Sequence, residues 1–171
     1  MESGATDYVF DSDNECARLE RQAALLSPER LLRLVAPPPA AAILDAGCGS
    51  GAASRLIAKR YPDARVTGVD LSPAFAADAA RRATAESLSN LAFETGDIAA
   101  LRFADASVDL IWTQFVLYFL PRPELALAEF RRLLRPWEHP DPDGRGDGAA
   151  LFRQTLAAIT ALPPLPPPAR C

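Results

Sequence analysis

The sequence predicts an α/β fold in which a mostly parallel sheet is flanked by helices. Short β-rich runs alternate with helical segments of about ten residues through the middle of the chain, the pattern of βαβ units. The first of these runs ends in a cluster of alternate glycines and leads into a helix. The alternation stops after Leu134, and half of the 16 prolines lie at or beyond Pro136. The sheet is therefore expected to be truncated after its fourth strand.

The N-terminal part, residues 1–39, is predicted to be a helical arm. From Asp13 to Ala36, apolar residues recur at three- and four-residue steps, as on one face of a helix. Ser27 followed by Pro28 is typical of a helix start, so a second helix is expected to begin there. Three consecutive prolines, residues 37–39, end the helical pattern.

The middle part, residues 40–136, is predicted to be a single core that holds all the strands. Strand-like runs alternate here with helical segments, the last of which is amphipathic. The predicted strands are Ala42–Ala46, Arg65–Asp70, Leu91–Glu94 and Val108–Thr113, and the predicted helices are Ala52–Arg60, Ser72 to about Glu86, and Glu124–Arg135.

The last part, residues 137–171, is predicted to be an irregular proline-rich tail. Ala149–Thr160 is compatible with one more helix, whereas Pro163–Pro168 favours polyproline II. Nothing beyond Trp137 has the pattern of a strand, so Val108–Thr113 is expected to be an edge of the sheet or to be covered by the tail. An uncovered apolar edge favours self-association.

Composition excludes several classes of protein. A net charge of −4 over 171 residues argues against nucleic-acid binding. No apolar run approaches the length of a membrane span, and the acidic N-terminus does not have the pattern of a signal peptide, so a cytoplasmic location is expected. Cys16, Cys48, Cys171 and the single histidine, His139, show no metal-binding spacing. Neither nucleic acid, membrane nor metal is therefore an expected partner.

The most informative segment is the loop that follows the first predicted strand, with Gly47, Gly49 and Gly51 at alternate positions. Glycines allow a sharp turn with positive φ and a close approach of backbone to ligand. The helix that follows directs its positive dipole end toward the loop. Gly47, Gly49 and Ala52 also match the looser dinucleotide pattern G-x-G-x-x-A, so the glycines alone do not identify the cofactor.

An acidic residue at the start of this loop favours one class of cofactor. Asp45 lies two residues before the first glycine, where it is expected at the mouth of the loop. A carboxylate there repels a pyrophosphate and attracts the ammonium and sulfonium groups of S-adenosylmethionine. The alternative is that Asp45 is only a turn or capping residue.

Two further acids follow the next two predicted strands. Asp70 is placed to accept hydrogen bonds from ribose hydroxyls, unless it only stabilises the start of the helix at Pro73. Asp97 is placed to accept from an adenine amino group, although Gly-Asp is also an ordinary turn pair. Three acids at three successive strand ends make one shared site the better interpretation.

The stretch from about Tyr8 to Pro136 resembles the class I S-adenosylmethionine-dependent methyltransferases of the small-molecule (type 11) kind, which have a Rossmann-like fold. The loop Leu44–Gly51 is similar to the first motif of that family, and Val69–Pro73 and Gly96–Ile98 are similar to the second and third. Val108–Gln114 resembles the fourth strand. Members of the family continue through a Gly-Gly pair into three more strands, whereas Trp137 follows Pro136 here.

The resemblance implies S-adenosyl-L-methionine as cofactor and assigns roles along the chain. It implies that Asp70 binds ribose, Leu71 packs on adenine, and Asp97 and the Ile98 backbone meet the adenine ring. The loop, the fourth strand end and two residues of the arm complete the implied cofactor site: Asp45, Ala46, Gly47, Gly49, Gly51, Thr113, Gln114, Tyr8 and Gln22.

The predicted function is methyl transfer to a small organic acceptor, with competence left open by the missing strands. No catalytic base is assigned, because alignment and desolvation supply much of the rate of such a displacement. His139 is expected to be an exposed bystander. Gln114 and Tyr118 are candidates for an acceptor pocket, but the aromatic residues Phe115, Tyr118 and Phe119 are first expected in the core. Two rival functions are a non-catalytic truncated methyltransferase that binds cofactor or a partner, and an NAD(P)-dependent oxidoreductase.

Overall fold

A computed structural model gives the fold and describes residues 17–21, 32 and 37–136. Its regular elements alternate as the sequence predicts. In chain order they are β1 (Ala42–Ala46), α1 (Ala52–Arg60), β2 (Arg65–Asp70), α2 (Pro73–Ala85), β3 (Leu91–Thr95), β4 (Leu110–Trp112), a 3₁₀ turn (Leu117–Phe119) and α3 (Pro123–Leu133).

The four strands form one parallel sheet in the order β3-β2-β1-β4. The chain moves outward from β1 through β2 to β3 and then returns to the other side of β1 to form β4. The strand order therefore reverses between β1 and β4, and ligands of open α/β sheets bind at the carboxyl ends of the strands at such a point. The predicted α/β class, with a mostly parallel sheet and flanking helices, is confirmed.

Apolar side chains cover both faces of the sheet. On one face, Ile43 and Val66 pack with Ile57 of α1 in one buried cluster. On the other face, Leu44 packs with Phe130 and other residues of α3 in a second cluster. Adjacent residues of β1 thus point to opposite faces, as the two-residue repeat of a strand requires. Burial on both faces explains why β1 reads as an apolar run.

The helix starts follow local chemistry. Ser72 precedes α2 and its Oγ accepts a hydrogen bond from the Phe75 N–H at 3.3 Å, which caps the helix. Pro73 occupies the first helical position, where its missing N–H costs nothing. Pro123 has the same place at the start of α3.

The fourth strand is shorter than predicted. Residues Val108–Thr113 were expected in it, but only Leu110–Trp112 pair with β1. Val108 instead forms a parallel bridge with Leu134, whose extended backbone ends α3 earlier than the predicted limit at Arg135. One residue pair therefore extends the sheet beyond β4, before the proline-rich tail begins.

A partly exposed ion pair between Asp109 and Arg135 lies beside this bridge. The Asp109 carboxylate accepts from the Ala42 N–H at 2.7 Å and from the Arg135 guanidinium at 2.5 Å. It thereby links the first residue of β1 to the chain after α3. Burial by itself would raise the pKa of Asp109. The hydrogen bonds from Arg135 and the Ala42 N–H, together with the positive charge of Arg135, outweigh burial and hold this pKa below its ordinary value.

The predicted elements of the arm and tail lie mostly outside the described residues. Residues 17–21 are helical, in agreement with the predicted helix over Asp13–Ala36. The expected helix start at Ser27 and the tail segments Ala149–Thr160 and Pro163–Pro168 fall in undescribed parts. Where the structure describes the chain, none of its helices has the length and apolarity that a membrane span requires.

Candidate functional site

The glycine loop lies at the carboxyl end of β1, beside the point where the strand order reverses. Gly47, Gly49 and Gly51 have φ values of +77°, +53° and +73°, as predicted from their spacing. At Gly47 the lack of a side chain also matters for packing. A Cβ there would lie within 3.0 Å of three side-chain carbons of Val116, which follows β4. The loop and the segment after β4 therefore close against each other across the crevice.

The amide groups of the loop are largely used within the protein. Gly47 and Cys48 donate to the Val69 carbonyl at 2.8 and 3.0 Å, and Gly51 donates to the Cys48 carbonyl at 2.9 Å. The Gly49 N–H donates to the Asp70 carboxylate at 2.8 Å. A pyrophosphate would need such donors to be free, so this arrangement suits a cofactor without phosphate groups better.

Asp45 does not lie at the mouth of the loop, as the sequence led us to expect. It is 2% exposed, and its carboxylate accepts a 2.5 Å hydrogen bond from Ser54 Oγ of α1. Burial, opposed by the Ser54 hydrogen bond and reinforced by the negative charge of Asp70, raises the pKa of Asp45 to about 6. The carboxylate therefore lies in the interior and not at the loop mouth. Because burial disfavours its charged form, a nearby cation would favour deprotonation.

Asp70 is also buried, at the carboxyl end of β2. It is 2% exposed, and its two carboxylate oxygens accept from the Gly49 and Ser72 amides at 2.8 and 3.0 Å. Asp70 thus stabilises both the glycine loop and the start of α2. Leu71, which follows Asp70, is 49% exposed at the same sheet edge.

The third acid is arranged differently. Asp97 is exposed, and its carboxylate accepts from the Ala99 N–H at 2.8 Å, which forms a local turn. Ile98 is buried in the cluster that faces α3. Asp97 is accessible from solvent at the carboxyl end of β3, while the Ile98 side chain anchors the turn.

The segment after β4 completes the crevice. Thr113 Oγ1 is buried and has no hydrogen-bond partner within the described structure, and Gln114 is half-buried beside it. Phe115 has φ of +61°, a conformation that is costly for a bulky residue and that concentrates at functional sites. Strain and an unpaired hydroxyl therefore meet at the end of the strand next to the glycine loop.

The aromatic residues of this segment are not in the core, which corrects the first expectation. Phe115, Tyr118 and Phe119 are 55%, 57% and 63% exposed. Tyr118 and Phe119 are in edge-to-face contact, with ring centroids 5.5 Å apart. The 3₁₀ turn directs them outward, because Val116 and Leu117 take the inward positions of the same short segment. We call these three residues the aromatic rim.

The remaining residues singled out from the sequence are two of the arm, one histidine and one cysteine. Tyr8, Gln22 and His139 lie outside the described residues. Cys48 is buried, and its burial raises the pKa of its thiol, in keeping with a packing role. Within the described ranges, no three His, Cys, Asp or Glu side chains come together as a metal site would require.

Sequence reasoning missed Ser54, Arg55 and Val116. Ser54 donates to Asp45, and Val116 packs against Gly47, but no local sequence pattern indicates either contact. Arg55 could have been noticed, because a cation in the first turn of a helix opposes the helix dipole and therefore needs specific partners.

Comparison with known proteins identifies the family. A family model described as a methyltransferase domain matches residues 43–137, more than half of the chain. The chain belongs to the methyltransferase domain family. This result agrees with the glycine loop, the buried acids and the strand order described above.

Methyltransferase relatives and neighbours share only part of their length with this chain. The chain is 37% identical over 106 residues to a malonyl-[acyl-carrier protein] O-methyltransferase of Herminiimonas arsenicoxydans, covering 62% of this chain and 38% of that protein. It is 39% identical over 119 residues to a trans-aconitate 2-methyltransferase of Deinococcus radiodurans, covering 69% and 41%. The chain thus spans about two fifths of the length of these curated relatives.

A solved structure covers more of the methyltransferase fold. An S-adenosylmethionine-dependent methyltransferase from Aquifex aeolicus superposes with a TM-score of 0.68 at 19% identity, covering 85% of this chain and 84% of that one. At this identity the similarity concerns the fold alone.

S-adenosylmethionine is the cofactor of this family, and the residues present suit it. Two buried carboxylates, Asp45 and Asp70, lie next to a loop whose amides are mostly occupied, while Thr113 offers an unpaired hydroxyl. This set of groups favours a ligand with positive charge and hydroxyl donors over a polyanion.

Proposed function

We propose that this chain is an S-adenosylmethionine-dependent methyltransferase that acts on an organic acid. The observation that carries the proposal is the pair of buried acids, Asp45 and Asp70, on either side of a glycine loop with internally bonded amides. A dinucleotide would place two negative phosphates beside these carboxylates, and the charges would repel each other. An ordinary phosphate-binding loop offsets such repulsion with free N–H groups, whereas the amides of this loop mostly donate within the protein. The proposal therefore favours methyl transfer over hydride transfer.

The residues that would hold the cofactor lie on three strand ends. Asp70 and Asp97 would accept from its hydroxyl and amino groups, and Leu71 would pack on its ring. Asp45 would favour its positive groups electrostatically through the loop. Thr113 and Gln114 would meet its amino-acid end. When bound, the cofactor would supply a methyl group activated by its positive sulfonium. After transfer of the methyl group to the acceptor, the sulfur would remain as a neutral thioether.

The acceptor class is inferred from the relatives and from the chemistry of the site. Malonyl groups and trans-aconitate, which appear in the names of the relatives, both carry carboxylates. A carboxylate is already deprotonated at neutral pH, so it can attack a methyl group without a general base. This accounts for a site in which no base is assigned.

The aromatic rim is the proposed acceptor side of the crevice. Phe115, Tyr118 and Phe119 are exposed next to Val116, which touches the glycine loop. The run from Phe103 to Pro121 contains no lysine, arginine or histidine, so it offers a polyanion little attraction. An acid with an apolar body, such as an acyl thioester, suits this rim better than a bare tricarboxylate.

Ligand binding tests the cofactor assignment. At 100 times its dissociation constant, S-adenosylhomocysteine should stabilise the protein by about 2.7 kcal/mol, which raises the melting temperature by about 5–10 °C. NADH at the same concentration should give no shift. A clear shift with NADH and none with S-adenosylhomocysteine would refute the proposal.

Transfer of a labelled methyl group tests the acceptor assignment. A malonyl thioester, a long-chain monocarboxylic acid and trans-aconitate are compared at equal concentrations. The proposal predicts base-labile methyl ester on the first two and less on trans-aconitate. Binding of S-adenosylhomocysteine without transfer to any acid would instead support the non-catalytic cofactor-binding alternative.

A further inference from the structure

The guanidinium of Arg55 joins three separate parts of the chain beneath the glycine loop. Its Nη1 donates to the Ser50 carbonyl at 2.9 Å. Its Nη2 contacts both carboxylate oxygens of Glu20 at 3.0 and 2.8 Å. Its Nε pairs with Glu86, just after α2, at 2.8 Å. All three nitrogens therefore have acceptors, as burial of a charged group requires, and Arg55 is only 8% exposed.

One of these partners, Glu20, lies in residues 17–21 of the N-terminal arm, and these residues pack directly on the loop. A Cβ on Gly49 would lie 3.0 Å from Leu19 Cδ1, so the helical residues 17–21 rest against that glycine. The Gly49 N–H is the donor to Asp70. The arm, the loop and the proposed ribose acid thus meet at a single residue, and the Arg55–Glu20 pair fastens the arm there.

The chemistry of the contact requires arginine. A planar guanidinium presents donors in three directions, whereas a lysine ammonium is a single point charge on a flexible stem. A cation near the start of α1 is disfavoured by the helix dipole, so the surrounding acceptors must compensate for it. Because Arg55 is nearly buried, its pair with Glu20 is screened less by water and salt than a surface pair would be.

We propose that Arg55 is a positioning residue that latches residues 17–21 onto the glycine loop and thereby slows release of the cofactor. This inference rests on the proposed function, since the loop is taken to hold S-adenosylmethionine. Breaking the latch frees the arm from Gly49 while leaving the carboxylates of the site in place. The expected signature is faster cofactor release with little change in association.

The experiment compares Glu20→Gln, Arg55→Lys and their combination in the 171-residue chain. Lys59→Gln is the matched control, because Lys59 also pairs with Glu86, at 2.7 Å, and makes no other ion pair among the described residues. S-adenosylhomocysteine release is followed by displacement in stopped flow. Amide hydrogen exchange of peptides that contain residues 17–21 is measured without ligand.

Glu20→Gln and Arg55→Lys should each speed release by about fivefold to tenfold, as expected for loss of a charge-assisted hydrogen bond. The double variant should release no faster than the more affected single variant, because both changes break the same contact. Exchange over residues 17–21 should rise in all three, and Lys59→Gln should match the wild type in both readouts.

Two outcomes would overturn the latch. The first is that Glu20→Gln changes neither the rate of S-adenosylhomocysteine release nor the hydrogen exchange of residues 17–21. This variant is expected to fold, because the Glu20 side chain is partly exposed. The second is additive effects in the double variant, which would mean that the two residues act separately. Failure of the wild type to bind S-adenosylhomocysteine would overturn the proposed function as well, whereas either of the first two outcomes leaves it standing.

Discussion

Asp45 shows how a single buried charge links stability to ligand binding. Burial raises its pKa from 3.8 to about 6, so the folded protein binds this proton more tightly than the unfolded chain. Its contribution to the free energy of unfolding is greatest below pH 4 and falls by about 3 kcal/mol as pH rises to about 6. A cationic cofactor favours the deprotonated form, so cofactor affinity should rise over the same pH range.

Asp45→Asn should remove both dependences. Relative to the wild type, its free energy of unfolding should improve as pH rises from 4 to 7, measured by urea denaturation at each pH. The difference between the two proteins cancels the opposite contributions of Glu86, Asp109 and Glu129, whose pKa values are lowered. Calorimetry should show weaker S-adenosylhomocysteine binding in the variant, without the loss below pH 6. A wild type with pH-independent affinity would contradict this assignment.

Asp70 is expected to serve binding and folding together. Asp70→Ala would leave the Gly49 and Ser72 amides without their acceptor, at a cost of about 1–3 kcal/mol in stability. Asp70→Asn keeps one carbonyl acceptor and should be destabilised less, yet it should also lose affinity for S-adenosylhomocysteine. Thermal unfolding and calorimetry on the two variants separate the effects. Full affinity in Asp70→Asn would limit this residue to a structural role.

At the scale of single residues, the sequence predicts conformation better than burial. The positive φ of Gly47, Gly49 and Gly51 follows from spacing alone. The burial of Asp45 does not, because it depends on Ser54 of α1 and on Gly68 of β2. A Cβ on Gly68 would lie 3.0 Å from Ser54 Oγ, so the room for this hydrogen bond is provided by another strand. Two of the three partners of Arg55, Glu20 and Glu86, are likewise distant in sequence.

Among the elements, the contact between the glycine loop and the segment after β4 is the one most open to test. Gly47→Ala should be destabilised twice, by about 1–2 kcal/mol for its left-handed backbone and further by the clash with Val116. Adding Val116→Ala relieves only the clash, so the double variant should recover part of the lost stability. Chemical denaturation of the two single variants and the double variant gives the coupling. Strict additivity would mean that the two segments do not touch.

Element boundaries were predicted well wherever one element determines its own ends. Ser72 and Pro73 define the start of α2 locally, and β1, α1 and β2 have the predicted limits. The predicted fourth strand fails at both ends for a non-local reason. Val108 pairs with Leu134, and β4 ends at Trp112, one residue before Thr113. Such choices depend on pairing partners that a linear pattern does not reveal.

For the whole molecule, the parallel direction of the strands explains why the residues that follow each strand lie near one another. Because all four strands are parallel, their carboxyl ends share one edge, and the residues that follow them converge there. The proposed acceptor side is the aromatic rim, whose exposure composition and motifs did not predict.

Self-association is the prediction that belongs to the whole molecule. The Asp109 N–H points toward β1, so the Leu110 and Trp112 amides point to the outer side of β4, where Val108 alone is bridged among residues 37–136. Unpaired amides beside apolar faces favour pairing with a second chain, opposed by the net charge of −4. Light scattering after size exclusion should therefore show more dimer near pH 5, where this charge vanishes, and at high salt, where it is screened. A monomer under all these conditions would mean that the edge is covered, as expected if the segment Ala149–Thr160 docks along it.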